Sequence, residues 1–167
     1  MKEWSSLYES KSGERGIFNR ISAKKQVLKS GRRVFGYDFG CNPCSEILLR
    51  SAQFCNLSEI IVRSDDTLEE LKEKARVATI FGTLQATLTD FRYLRKIWAN
   101  NTAEERLLGV SMTGIMDHKT LSNPENSHLK RWLTELKEEC IKTNVEWASR
   151  LGIEESAAIT ALSPVEP

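Results

Sequence analysis

Phe54-Cys55-Asn56-Leu57-Ser58-Glu59-Ile60-Ile61-Val62, followed by Thr67-Leu68-Glu69-Glu70 and an apolar-periodic run to Trp98, is the stretch that decides the fold of this 167-residue chain. The first segment ends in β-branched residues and reads as a strand. Thr67-x-x-Glu70 matches a capping box, with Asp66 or Thr67 as N-cap. Leu68, Leu71, Ala75, Ala78, Phe81, Leu84, Leu88, Phe91, Arg95 and Trp98 step by three or four and predict one helix face from Thr67 to Trp98. Such a helix would be about 45–50 Å long. It would need a partner along its whole length.

Downstream, Leu107-Leu108-Gly109-Val110-Ser111-Met112 predicts a buried strand. Asn123-Pro124 predicts a helix start with Pro at the first helical position. Leu129, Leu133, Leu136, Cys140, Trp147 and Leu151 carry that helix's stripe to a stop near Gly152, and Ala157-Ala158-Ile159-Thr160 opens another strand. Upstream, Ile21–Lys29 is helix-like, Val34-Phe35-Gly36-Tyr37 reads as a short strand, and Gly40-Cys41-Asn42-Pro43-Cys44 is loop chemistry. Strand, helix, strand, helix, strand in alternation predicts an α/β fold with parallel pairing. No repeat, low-complexity tract or linker divides the chain.

Composition excludes several classes. The chain is 40% hydrophobic and 28% charged, as ordinary globular proteins are. It has no apolar run of membrane-spanning length, and residues 1–16 contain no apolar core of the kind a secretory signal carries. Four cysteines are too few for a disulfide scaffold, so their thiols are expected in a reducing, cytoplasmic setting. Residues 1–63 carry 11 Lys and Arg against 6 Asp and Glu, and the remainder is net acidic. That mild basic bias suits an anionic small molecule and is too dilute for nucleic acid. His118 and His128 lie outside the cysteine-rich stretch, which argues against a His-based triad or mixed zinc site.

Cys41-Asn42-Pro43-Cys44-Ser45-Glu46, with Cys55 eleven residues after Cys44, is where chemistry concentrates. Cys41-x-x-Cys44 could be a thioredoxin-like redox pair. Cys41, Cys44 and Cys55 could belong to a zinc site, although a second ligand pair is missing because Cys140 sits alone on a helical stripe. Asn42, Cys44 and Glu46 could form one catalytic loop, because i, i+2, i+4 spacing in an extended hairpin points three side chains to one side. Cys55 would then lie near the thiol. Against these stands a plain packing role for the cysteines with a solvated Glu46.

Asn42-Pro43-Cys44-Ser45-Glu46-Ile47, with Phe54-Cys55-Asn56-Leu57-Ser58-Glu59, resembles the active-site finger loop of adenosylcobalamin-dependent (class II) ribonucleotide reductases, most closely the monomeric ribonucleoside-triphosphate reductases. Residues 12–20, 87–95 and 105–111 support the resemblance, which runs from about residue 1 to residue 160. It implies a central part of a ten-stranded α/β barrel over 1–160, with a finger loop and long helices, and a divergent tail over 161–167. By resemblance Cys44 would be the thiyl radical that takes the ribose 3′-hydrogen, and Glu46 the base for the 3′-hydroxyl. Asn42 would orient the ribose, and Cys55 would be one of two redox cysteines, its partner lying outside this chain. The implied cofactor is adenosylcobalamin, with no metal bound by the protein itself. The implied partners are a ribonucleoside triphosphate, a thiol reductant such as thioredoxin, and complementary reductase fragments; no nucleic acid or membrane is implied. Cys41 has no role in that pattern, Cys140 reads as core, and Gly13-Glu14-Arg15-Gly16 reads equally as a substrate-proximal stretch or a surface turn. The Pro-Ser-Gly-Thr phosphate loop and an Asp-x-His-x-x-Gly cobalamin motif are not in the chain. The expectation is therefore a segment inactive alone. The alternatives are a non-catalytic interaction module that keeps the fold or, less favoured, a C-x-x-C thiol-redox protein.

Overall fold

A computed structural model describes residues 2–11, 16–29, 32–34 and 36–161. The stretch Gly13–Gly16, most of the 161–167 tail and Phe35 of the expected first strand therefore lie largely or wholly outside the described residues. The elements are α1 (Lys2–Ser10), α2 (Arg20–Lys29), β1 (Phe39–Cys41), β2 (Leu48–Arg50), β3 (Asn56–Ile61), α3 (Leu68–Gln85), α4 (Lys96–Glu105), β4 (Leu108–Thr113) and α5 (Leu129–Leu151).

The parallel pairing expected from strand–helix alternation is present. β3 and β4 run parallel in register from Asn56 against Leu108 to Ile61 against Thr113. The segment 157–161 lies along the other side of β4, with a parallel bridge between Val110 and Thr160. Leu108 N donates to Ala158 O at 2.9 Å, and Val110 N donates to Ile159 O at 2.8 Å. The observed layer is thus β3, β4 and the 157–161 ribbon; a closed barrel is not seen among the described residues.

Strand alternation divides the layer into two faces. On one face Ile60, Val62 and Val110 meet Leu71, Ala75 and Ala78 of α3 and Leu136 and Cys140 of α5 in the main core. Cys140 is core, as its place on the stripe predicts. On the opposite face a smaller cluster joins Ile47, Leu107 and Ala157, with Leu49 and Cys55 against it. Gly109 makes that second contact possible: a Cβ there would stand 2.5 Å from Leu57 Cδ2 and 3.2 Å from Ile47 Cδ1.

Two helix expectations are corrected. The run from Thr67 to Trp98 is not one helix. The capping box at Thr67 is present on both sides, with Thr67 Oγ1 accepting from Glu70 N at 3.3 Å and Glu70 Oε2 accepting from Thr67 N at 2.8 Å. α3, however, stops after 18 residues, about 27 Å. Thr87 turns its hydroxyl back onto Leu84 O at 2.7 Å, and the guanidinium of Arg106 caps Ala86 O. Phe91 is then pulled onto Phe54, ring centroids 5.1 Å apart, while Trp98 of α4 packs on the same ring at 4.7 Å. The buried stripe of α3 accordingly continues through Thr79, Gly82 and Thr83, leaving Phe81 and Leu88 largely exposed.

The second correction concerns Asn123-Pro124, which forms a turn rather than a helix start. Asn126 N donates to Asn123 O at 3.0 Å, and α5 begins at Leu129. Its end at Gly152, in the left-handed region at φ 66°, is as expected. Within α5, Leu133 and Ile141 are exposed while Thr143 and Asn144 are buried. The hydrogen bonds Asn144 Nδ2 to Thr83 Oγ1 (3.0 Å) and to Ser156 Oγ (2.9 Å) pull those polar residues inward. Upstream, α2 starts at Arg20 because Asn19 Oδ1 accepts from Ile21 N (3.1 Å) and Ser22 N (3.0 Å). The short strand expected at Val34–Tyr37 is instead found at Phe39–Cys41. Gly36 and Tyr37 form a turn before it.

Candidate active site

The loop 42–47 joins β1 to β2 in an antiparallel hairpin, Cys41 paired with Leu48 and Phe39 with Arg50. Asn42 organises it. Its Oδ1 accepts from Ile47 N at 3.1 Å, and its backbone N donates to Ile47 O at 3.3 Å. Its backbone O accepts from Ser45 N at 3.0 Å, and its Nδ2 donates to Glu46 Oε1 at 2.5 Å. Ser45 takes a left-handed φ of 66° to close the turn.

The structure brings Asn42 and Glu46 into direct contact, by a turn and not by extended alternation. Residues 43–46 fold back, so the spacing rule for strands does not apply to them. Cys44, at the tip, is an exposed free thiol. Glu46 is half-buried, and its Oε2 is enclosed without a hydrogen-bond partner. The same residue lines a cavity of about 470 Å3 together with Lys29, Arg32, Ile47, Lys137 and Asn144. Glu46 thus borders the cavity with one carboxylate oxygen anchored by Asn42 and the other enclosed and unpaired.

Cys55, just before β3, is half-buried against Ile47 and Leu107. Burial, and secondly the charge of Glu46, push its thiol up from the ordinary value. Glu46 is therefore electrostatically coupled to Cys55, which stays a thiol near neutral pH. All four cysteines are free, and among the described residues no group of three or more His, Cys, Asp or Glu could hold a metal ion. The zinc-site reading has no support in these residues.

Sequence reasoning missed what holds the hairpin. Arg33 donates to both oxygens of Glu105, from Nε at 3.1 Å and Nη2 at 2.7 Å. Gln53 Nε2 reaches Glu105 Oε2 at 2.5 Å, and Gln53 Oε1 accepts from Arg50 N at 2.9 Å. Arg50 adds a 2.9 Å bond to Glu104 and stacks on Tyr37 at 4.1 Å from the ring centroid. The side chains of Arg33, Arg50 and Glu105 are each at most 5% exposed. Burial raises the carboxyl of Glu105, but the Arg33 and Gln53 hydrogen bonds and the two guanidinium charges outweigh it and hold the group below its ordinary value. Buried charges persist only when paired in this way. The base of the hairpin is thus bonded to the end of α4. The available signal was compositional: Arg50 and Gln53 break the apolar pattern beside strands.

Among the described residues no helix is long and apolar enough to cross a membrane. No protein-family profile matches the chain. It is 35% identical over 116 residues to the adenosylcobalamin-dependent ribonucleoside-triphosphate reductase of Lactobacillus acidophilus, a match covering 64% of this chain and 14% of the relative. The enzyme of the same name from Lactobacillus gasseri is 34% identical over 112 residues, with the same coverage. The chain therefore spans about a seventh of the length of these relatives. The fold is similar to part of a crystal structure of a B12-dependent (class II) ribonucleotide reductase, with a TM-score of 0.59 and 24% identity over 73% of this chain and 20% of that one. The resemblance read from the finger loop is borne out by these relatives.

Proposed function

We propose that this chain, a relative of the adenosylcobalamin-dependent ribonucleotide reductases, is the loop-bearing segment of such an enzyme and acts on ribonucleoside triphosphates when joined by the remaining segments. The observation that carries this reading is the Asn42–Glu46 pair, bonded at the base of a turn whose tip presents Cys44, with Glu46 lining a cavity.

In this reading Asn42 holds the ribose hydroxyls and fixes the Glu46 carboxylate. Glu46 takes the 3′-hydroxyl proton while the 2′-hydroxyl leaves as water, a task suited to a carboxylate with one oxygen already anchored. Cys44 exchanges hydrogen with the ribose 3′-carbon. Cys55 gives up its hydrogen together with a second cysteine outside this chain, the two ending as a disulfide that a thioredoxin-like thiol reduces. The raised thiol of Cys55 suits a group that must arrive carrying its hydrogen. Adenosylcobalamin, when bound, supplies the radical that starts the sequence. What this chain would offer to it is the exposed Cys44 thiol.

A chimaera tests the reading: this chain replaces the corresponding segment of the Lactobacillus acidophilus relative. Turnover with adenosylcobalamin and a dithiol is expected from the chimaera and not from the isolated chain. Cys44→Ser, Cys55→Ser and Glu46→Gln should each reduce it by at least about 100-fold while the chimaera still folds. A folded chimaera without turnover would instead support the non-catalytic module.

A further inference from the structure

We propose that Cys41 and Cys44 form a reversible disulfide within the loop, which withdraws Cys44 from reaction until a reductant restores it. The catalytic consequence rests on the function proposed above; the disulfide itself does not.

Cys41 is the last residue of β1, and its Sγ lies 3.5 Å from Ser45 Oγ, so its side chain is directed along the loop toward the tip. Cys44 precedes Ser45 and is exposed, as are Pro43 and Ser45 on either side of it. The other two thiols are poor competitors. Cys140 is enclosed between helices with its thiol pushed up by burial. Cys55 is held in an apolar cluster, its thiol likewise raised. A disulfide needs Cα atoms about 4.4–6.8 Å apart, a span that residues i and i+3 reach across a reverse turn, where they lie within about 7 Å. The present turn is closed from Ser45 N to Asn42 O. Moving that closure back by one residue would bring Cys41 and Cys44 within that span at the cost of the Asn42 O–Ser45 N bond, and Pro43, Cys44 and Ser45 at the tip are all exposed.

The oxidant is a small disulfide. The Cys44 thiolate attacks one sulfur of the disulfide and expels a thiolate, leaving a mixed disulfide on Cys44. The Cys41 thiolate then attacks the Cys44 sulfur and expels the second thiolate. Two protein thiols lose two electrons, the small disulfide gains them, and the two released protons end on the two expelled thiolates.

Glutathione disulfide is the probe. The isolated chain is equilibrated with it, free thiols are blocked with N-ethylmaleimide, and the unfolded protein is digested with trypsin. Arg33 and Arg50 bound one peptide that contains both Cys41 and Cys44, while Cys55 falls in the next. The expected product is the 34–50 peptide lighter by two hydrogens and unlabelled, with Cys55 labelled. Cys41→Ser should trap glutathione on Cys44, and dithiothreitol should reverse both states. A cross-link between the 34–50 and 51–63 peptides, or stable glutathione on Cys44 with Cys41 intact, overturns the proposal. In the active chimaera the oxidised loop should lose turnover and regain it on reduction. Persistence of the disulfide without any turnover in the reduced chimaera would refute the proposed function alone.

Discussion

Glu46 shows how one side chain serves two neighbours. Its Oε1 is anchored by Asn42, its Oε2 is left unpaired, and its charge raises the Cys55 thiol after burial has done so. Glu46→Gln removes only the charge contribution, so the Cys55 thiol should titrate lower but remain above its ordinary value. In a chain whose other cysteines are serine, the iodoacetamide alkylation rate of Cys55 at mildly alkaline pH should rise several-fold. An unchanged rate would show that Glu46 does not reach Cys55 in solution. Gly114 and Gly152, both left-handed, invite a second comparison. A Cβ on Gly114 would lie 2.5 Å from Val62 O, a backbone atom that cannot swing aside, whereas one on Gly152 meets nothing within 4 Å. Both substitutions pay for a positive φ. Gly114→Ala should therefore cost about 2–3 kcal/mol and Gly152→Ala about 1 kcal/mol, measurable by urea denaturation.

At the scale of elements, the hairpin is placed by a buried ionic cluster and an apolar contact. Glu105→Gln leaves the Arg33 guanidinium buried without its countercharge and should cost about 3–5 kcal/mol. The same cluster gives a pH dependence. The Glu105 carboxyl titrates below its unfolded value of 4.5, so its contribution is fully present above that value and lost as pH falls through the folded one. Thermal midpoints should fall in acid more steeply for the parent chain than for Glu105→Gln, which has no such carboxyl to protonate. Parallel curves would place the acid sensitivity elsewhere. On the other face, Asn144 ties α5 to α3 and to the third strand through Thr83 and Ser156. Asn144→Ala strands those buried groups and should cost about 1–3 kcal/mol. The capping box of α3 was readable because its partners lie within one turn of sequence. The end of the same helix was not, because Arg106 and Phe54 act on it from outside the local window.

Taken as a whole, the molecule leaves apolar surface on two sides. The outer side of α3 exposes Val77, Phe81 and Leu84, with Leu88 just beyond its end, and the loop-side face of β3 exposes Leu57 and Ile61. Surfaces of this kind associate in water. The isolated chain should sediment as a concentration-dependent mixture, and Phe81→Glu with Leu88→Glu should shift it toward monomer without lowering its stability. A parent chain that stays monomeric at high concentration would count against this.

By itself the sequence determined the parallel strand–helix alternation, the capped start of α3, the glycine stop of α5 and the family resemblance carried by the loop around Cys44. Each of these is encoded in residues a few positions apart, through strand alternation, helix periodicity or a short capping or loop motif. Only the tertiary structure decided where the helix begun at Thr67 ends, which of Thr79, Thr83, Thr143 and Asn144 would be buried, and how the loop is held. Those outcomes depend on partners some 20 to 70 residues away, among them Arg106 on Ala86, Asn144 on Thr83 and Arg33 on Glu105. No periodicity in sequence records such pairs, because a buried polar group is stable only once its distant partner has arrived.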